Sequence, residues 1–268
     1  MIEWCLERGF RCRDSVIQRG AGKGLRFNCG HGSVSFLFGT HEPDLQRIFE
    51  HLAQPGMTFY DVGANVGFYS MIVGRSVGPD GRVIAFEPVS DNARWIEHNT
   101  ALNGFAHVET RREALGNEDG EAPFFISADT QLGKLTSAGA PPPHSAAKVN
   151  VRLRRLDSLL AEGTILPPDL IKIDVEGGEV AVLSGAYHTM QRYRPTLIID
   201  LHATNTSVAS ILEELKYRPK VLGSARGILD SASDACVIAA PAERDDLAQV
   251  LHRLESICAA LTVPDGTF

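Results

Sequence analysis

The chain has 268 residues, 44% of them hydrophobic and 22% charged, with a formal net charge of -7. That is enough to bury a sizeable core without disulfides or a structural metal, and one main domain is the simplest count. A net acidic chain lacks the concentrated basic surface that nucleic-acid phosphates require, so the expected partner is a small molecule rather than a nucleic acid.

The cysteines Cys5, Cys12, Cys29, Cys236 and Cys258 are spread out with no C-x-x-C pair, which signals neither a disulfide framework nor a cysteine zinc site. The segment Met1 to Arg8 has no signal-peptide stretch, and no run approaches the ~18 apolar residues of a membrane span. The expectation is a cytoplasmic protein with no membrane partner.

Residues 1–40 are rich in glycine and short alternating runs such as Ser33 to Phe38, which predicts one or two small strands in an N-terminal cap. Leu45, Ile48, Phe49 and Leu52 recur at helical spacing over Pro43 to Leu52, and Pro55-Gly56 stops that helix. Strands and helices then alternate. Strands are expected at Thr58 to Val62, Arg82 to Phe86 and His107 to Arg111, with helices over Gly67 to Val77 and Ser90 to Leu102. A second series has strands Leu170 to Ile173 and Thr196 to Leu201, with helices Glu179 to Tyr193 and Val208 to Lys216. Apolar strands alternating with helices predict an α/β, doubly wound, mostly parallel sheet.

The alternation breaks at Glu121 to Ile126 and Val149 to Leu153, which read as extra strands around a loop over 127–148. So long a loop in a compact domain is either a substrate lid or disordered. The strand Ala235 to Ala239 and a helix over Asp245 to Leu261 are expected to close the domain.

Two blocks carry chemistry. In Asp61-Val62-Gly63-Ala64-Asn65-Val66-Gly67 a strand ends in a glycine turn that opens a helix, the place where open α/β sheets take ligands. Gly63 and Gly67 allow close backbone approach, and Asp61 can accept from a ligand amine or hold the loop. Glu87, ending the next strand before Pro88, is placed to accept the two hydroxyls of a ribose, a logic shared by dinucleotide and S-adenosylmethionine (SAM) sites. Asn65 stands where a dinucleotide fingerprint has its middle glycine, and Asp61 suits the cationic end of SAM better than a diphosphate. The second block, Asp169 to Glu179, gathers Lys172, Asp174 and Glu176 at the end of a buried strand, where alternation turns them to one side. Such charges form either a compensated structural network or part of an active site.

These blocks, with Phe86-Glu87-Pro88 between them, resemble the FkbM family of SAM-dependent methyltransferases. The likeness extends from Gly39 to Pro43 through Asn99 to Asn103, Leu156 to Leu160, Ile171 to Glu179, Arg194-Pro195 and Leu201-His202. The resemblance implies a seven-stranded, Rossmann-like SAM-binding fold over 41–268 and O-methylation of a hydroxyl on a sugar or other natural product. It also implies Asp61, Gly63 and Glu87 as cofactor contacts and Asp174 near the reacting methyl. The family commonly has glutamate where this chain has Asp200, which puts any role for that acid in doubt, and often has another small residue where Gly178 stands.

Asn65, Gly67, Glu42, and Glu113 with Ala114 at the end of the third strand complete the candidate cofactor contacts; Glu42 and His41 have a helix cap or surface role as the alternative reading. A hydroxyl acceptor must lose its proton at or before transfer, and Asp174 and His202 compete as the base, with Lys172 beside them. Asp174, Glu176, Asp200 and Glu179 offer oxygen atoms to a divalent metal, but their spacing is not diagnostic and a metal-independent site is expected. A nicotinamide-dependent oxidoreductase would share Gly63 and Glu87 yet leave the second block unexplained; a non-catalytic SAM-binding domain is the other alternative.

Overall fold

The computed structural model describes residues 12–127, 133–135 and 145–244. Its strands in chain order are β1 (Ser15–Val16), β2 (Arg26–Phe27), β3 (Thr58–Val62), β4 (Arg82–Phe86), β5 (Val108–Arg111), β6 (Ala114–Leu115) and β7 (Gly120–Ser127). There follow β8 (Gly133–Leu135), β9 (Ser145–Arg154), β10 (Leu170–Ile173), β11 (Thr196–Asp200), β12 (Tyr217–Val221) and β13 (Cys236–Pro241). Seven of them form the central sheet in the order β12-β13-β11-β10-β3-β4-β5. All neighbours in it pair parallel except β13, which runs antiparallel to both β11 and β12. This is the α/β, mostly parallel architecture expected from the alternation of elements, with the seven strands that the family resemblance implies.

β3 is buried at all five positions because the sheet is covered on both faces. Phe59 joins one apolar layer with Val83, Ala85, Ile198 and Ile238, while Tyr60 and Val62 join the opposite layer with Ile84, Phe86, Leu197 and Ile199. The first layer is closed by the helices Pro43–Leu52 and Phe68–Val77 and by Ile17, Phe27, Cys29 and Phe36 from the N-terminal residues. The second is closed by the helices Leu156–Ala161, Glu179–Gly185, Tyr187–Tyr193 and Asn205–Glu214.

Several expectations are corrected. The run Ser33 to Phe38 is a short helix, Ser35–Phe38, and the two small cap strands are instead the antiparallel pair β1 and β2. Its Phe36 and Leu37 are buried as adjacent positions, which a helix end allows and an alternating strand does not. The segment 127–148 is not a plain loop: β8 pairs with β7, and β9 begins at Ser145, making a second sheet of order β6-β9-β7-β8. The helix expected over Glu179 to Tyr193 is two helices, ending at Gly185 and restarting at Tyr187 with Ala186 as the joint. Gly185 supplies no side chain because its Cβ would fall 1.8 Å from the Gly116 carbonyl oxygen. β12 escaped the sequence reading because Pro219 interrupts it; an edge position tolerates the missing N–H. The helix expected over Asp245 to Leu261 lies outside the described residues.

Candidate active site

Register assembles the site. Ile173 of β10 and Phe86 of β4 both pair with Val62 of β3, and Ile199 of β11 pairs with Ile173. The residues that follow these parallel strands, Gly63, Glu87, Asp174 and the segment reaching His202, therefore emerge at one sheet edge. The strand order changes direction between β3 and β10, the switch point at which open α/β sheets bind ligands. A cavity lies there, lined by Gly63, Asn65, Glu87, Glu113 and Ala114 together with Asp174, Glu176 and Gly178. Val62, Phe86, Leu115 and Phe124 give it apolar walls. Phe124 comes from β7, so the second sheet also walls the cavity.

The glycine turn is fixed by backbone and side-chain bonds. The amides of Gly63 and Ala64 donate to the Phe86 carbonyl at 3.0 and 3.1 Å. Gly63 has φ +82°, and a Cβ there would fall 1.9 Å from the carbonyl oxygen of Asp174, so the close approach that requires glycine is to this chain's own backbone. Gly67, at φ +84°, starts the helix Phe68–Val77 and packs on Ile96 rather than lining the cavity. Asn65 takes the left-handed φ of +51° and accepts the Val66 N–H with its own Oδ1. Behind the turn, buried Asn99 donates to the carbonyls of Val66 and Asn28 and accepts the Asn28 N–H, tying the N-terminal segment to the site.

Glu87 is buried and accepts the N–H groups of Asn65 at 2.9 Å and Val89 at 2.8 Å, with the Asn92 amide as a third donor. Burial nevertheless raises its pKa to about 8 against these donors. Glu113, also buried, sits 3.2 Å from the Arg152 guanidinium and 3.7 Å from that of Arg111.

At the other end Lys172 is buried and donates to Asp174 Oδ2 at 2.9 Å, lies 3.8 Å from Asp200, and pairs across the sheet with Asp61. Burial alone would lower the lysine pKa, but Asp174, Asp200 and Asp61 together hold it above its ordinary value. Asp61 does not line the cavity: one oxygen accepts the Ser70 hydroxyl at 2.6 Å, the other is buried without a hydrogen-bond partner, and burial raises its pKa. Asp200 is raised to about 6 by burial, with Lys172 opposing. Glu42, at φ +41° before the helix Pro43–Leu52, accepts the Tyr69 hydroxyl at 2.6 Å and lies 3.2 Å from His41; Lys172 in turn stands over the Tyr69 ring. Burial would raise the Glu42 pKa, but the bonds from His41 and Tyr69 bring it down to about 2. It is thus at the back of the lysine cluster, not in the cavity.

Alternation turns Lys172 and Asp174 to one side, but the strand stops at Ile173, so Glu176 reaches the same cluster by a left-handed turn at φ +52°. His202 meets it from the end of β11. Its Nδ1 bonds Glu179 Oε1 at 2.9 Å, and its Nε2 lies 3.6 Å from Glu176 and 3.9 Å from Asp174. The Glu179 bond raises the histidine pKa to about 9, burial opposing and the other two carboxylates adding to the rise. At neutral pH the ring already carries the proton that a base would have to accept. Sequence reasoning passed over Asn92 and Phe124, since a single Asn near a helix start and one Phe in an alternating strand carry no distinctive pattern. Glu179 was noted only as an oxygen source; its part in holding His202 depends on a contact 23 residues away in sequence.

A family model described as the methyltransferase FkbM domain matches residues 61–220, more than half of the chain, and includes both blocks. The chain belongs to the FkbM methyltransferase family. This sets aside the nicotinamide oxidoreductase reading. The chain is 26% identical over 183 residues to the hexuronic acid methyltransferase AglP of Haloferax volcanii, covering 67% of this chain and 71% of that protein. It is 27% identical over 141 residues to Methyltransferase 1 of Beauveria bassiana, where the match covers 47% of this chain and 56% of the relative. Among solved structures, Methyltransferase FkbM from Methylobacillus flagellatus overlaps with a TM-score of 0.47 at 16% identity, covering 76% of this chain and 52% of that one. The strand order described above, not this overlap, defines the fold. Among the described residues no helix is long and apolar enough to cross a membrane.

Proposed function

We propose that this FkbM domain transfers a methyl group from SAM to a hydroxyl of a small sugar-like or other natural-product acceptor. The carrying observation is the register that brings Glu87 and Asp174, which follow the two strands flanking β3, to line one apolar-walled cavity, with further carboxylates around Asp174. Lys172 is one cation among Asp61, Asp174 and Asp200, so this end of the site suits a cationic ligand group, and the unpartnered Asp61 oxygen adds to that negative field. Three of the roughly four Glu87 acceptor directions are taken, by the Asn65 and Val89 N–H groups and the Asn92 amide, which leaves one for a ribose hydroxyl. When bound, SAM supplies a methyl group on a cationic sulfur, which keeps the bonding pair as the acceptor oxygen takes the carbon.

In this reading Glu87, Asn65, Gly63, Glu113 and Ala114 hold the adenosine part, and Asp61, Gly67 and Glu42 support them from behind. Asp174 Oδ1 receives the acceptor's proton, because Lys172 occupies Oδ2 and fixes the carboxylate. His202, already protonated near neutral pH, positions Asp174 rather than acting as the first base. The Haloferax relative is named for a hexuronic acid, which supports a hydroxylated, sugar-like acceptor for this chain too.

An acceptor screen with labelled SAM, followed by product mass spectrometry, tests the reaction. Asp174→Asn is expected to lower single-turnover transfer by about 10²–10⁴-fold. A rate within twofold of the wild type would remove Asp174 as the base, and a methylated nitrogen or carbon in the product would overturn O-methylation.

A further inference from the structure

Asp174, Glu176 and His202 each offer one ligand atom, and these atoms all lie within 4.8 Å of one another. Divalent ions sit about 2.0–2.6 Å from their oxygen and nitrogen ligands, so neighbouring ligand atoms around one ion lie about 3–3.7 Å apart. The observed separations from His202 Nε2, 3.6 Å to Glu176 and 3.9 Å to Asp174, need only a small inward adjustment to meet that spacing.

What distinguishes this group from a surface acid cluster is the way its members are held from behind. The Nδ1 of His202 is bonded to Glu179, whose side chain has 0% exposure, and Glu179 is itself fixed by Thr204 Oγ1 at 2.9 Å and the Gly177 N–H at 2.8 Å. A carboxylate accepting from Nδ1 fixes the ring and aims Nε2 at the cluster, the arrangement that orients metal-ligating histidines. Lys172 likewise occupies only Oδ2 of Asp174 and leaves Oδ1 turned to His202. An ion here would retain further coordination positions, and Asp174 and Glu176 both line the cavity.

We infer that Asp174, Glu176 and His202 bind one divalent cation at the rim of the cavity, with Glu179 holding the histidine in place. Mixed imidazole and carboxylate donors suit a first-row ion such as Mn²⁺. Binding releases the Nε2 proton to solvent, because the ligand form of the ring is neutral. The ion's task is to hold and acidify the acceptor oxygen; with the ion in place Asp174 Oδ1 is its ligand and the acceptor's proton passes to solvent, so Asp174 is the base only in the ion-free enzyme. That task, though not the binding itself, rests on the methyltransferase reading of the cavity.

The test is titration of Mn²⁺ into chelator-stripped full-length protein, followed by the loss of the free-ion electron paramagnetic resonance signal. One ion per chain is expected. Glu176→Gln and His202→Ala should each weaken binding by at least about tenfold, and Glu179→Gln, which acts through the ring, by about 10–100-fold. Glu109→Gln, at an exposed carboxylate remote from the cluster, should match the wild type and exclude general surface binding. Absence of stoichiometric binding, or equal affinity in folded Glu176→Gln and wild type, overturns the site. Calorimetry with S-adenosylhomocysteine (SAH) on the same samples separates the two readings: Mn²⁺ binding without SAH binding contradicts the cofactor assignment alone, and SAH binding without Mn²⁺ binding contradicts the metal site alone.

Discussion

Glu87 Oε2 accepts the amide N–H of Asn65 at 2.9 Å, so the acid that follows β4 braces the turn that follows β3. Its other oxygen holds the Val89 N–H at the start of the next helix. Three donors lose their acceptor in Glu87→Ala: the N–H groups of Asn65 and Val89 and the Asn92 amide. Thermal denaturation should show a loss of about 1–3 kcal/mol per donor left unsatisfied, reduced where water enters. An unchanged melting temperature would make the bracing role wrong.

The same residue gives stability a pH dependence. Its pKa is about 8 in the folded protein, against about 4.3 for an unfolded glutamate. A raised folded pKa means that the contribution is fully present below about pH 4.3 and is lost as pH rises through about 8. Denaturant titrations should therefore show a steeper decline from pH 5 to 8 in the wild type than in Glu87→Gln, which cannot ionise. Parallel curves would show that Glu87 is ionised throughout.

Gly63→Ala should damage folding before it damages ligand binding. The added Cβ would meet the Asp174 carbonyl oxygen at 1.9 Å, and the positive φ adds strain of about 1–2 kcal/mol. The expected result is insoluble or strongly destabilised protein, measured by soluble yield and urea midpoint. A folded, stable variant that merely fails to bind cofactor would place the steric demand on the ligand instead.

Lys172→Met leaves Asp61, Asp174 and Asp200 without their shared cation. Breaking a buried charge pair from one side costs about 3–5 kcal/mol, and chemical denaturation should show a loss of that size. The double variant Lys172→Met/Asp61→Asn should recover part of it, because burial already disfavours the Asp61 charge. If the double variant is less stable than the single, the lysine is not compensating Asp61.

Much of this architecture was legible because the signals are local. β3, β4 and β10 are apolar runs ended by glycine or acid, and the Gly63 turn and Glu87 stand at strand ends where parallel register must bring them together. The functions of individual residues were less legible, since they depend on contacts between distant segments. Gly63 reads as room for a ligand until Asp174 is seen against it. Asp61 reads as a cofactor contact, yet it lies behind the turn on Ser70 and beside Lys172. His202 reads as a base, whereas Glu179, 23 residues earlier, changes its protonation. The Ser33 to Phe38 run misled because four residues of alternation fit one helical turn equally well.

Calorimetric titration of SAH into the wild type, Glu87→Gln and Asp174→Asn tests the division of the cavity into a cofactor end and a transfer end. The wild type should bind one SAH per chain in the micromolar range, about -8 kcal/mol. Glu87→Gln should lose about 0.5–1.5 kcal/mol for each hydrogen bond to ribose that it no longer makes, since burial keeps Glu87 largely uncharged near neutral pH, while Asp174→Asn stays within about threefold of wild-type affinity. Failure of the folded wild type to bind SAH, or full affinity in Glu87→Gln, would contradict the account.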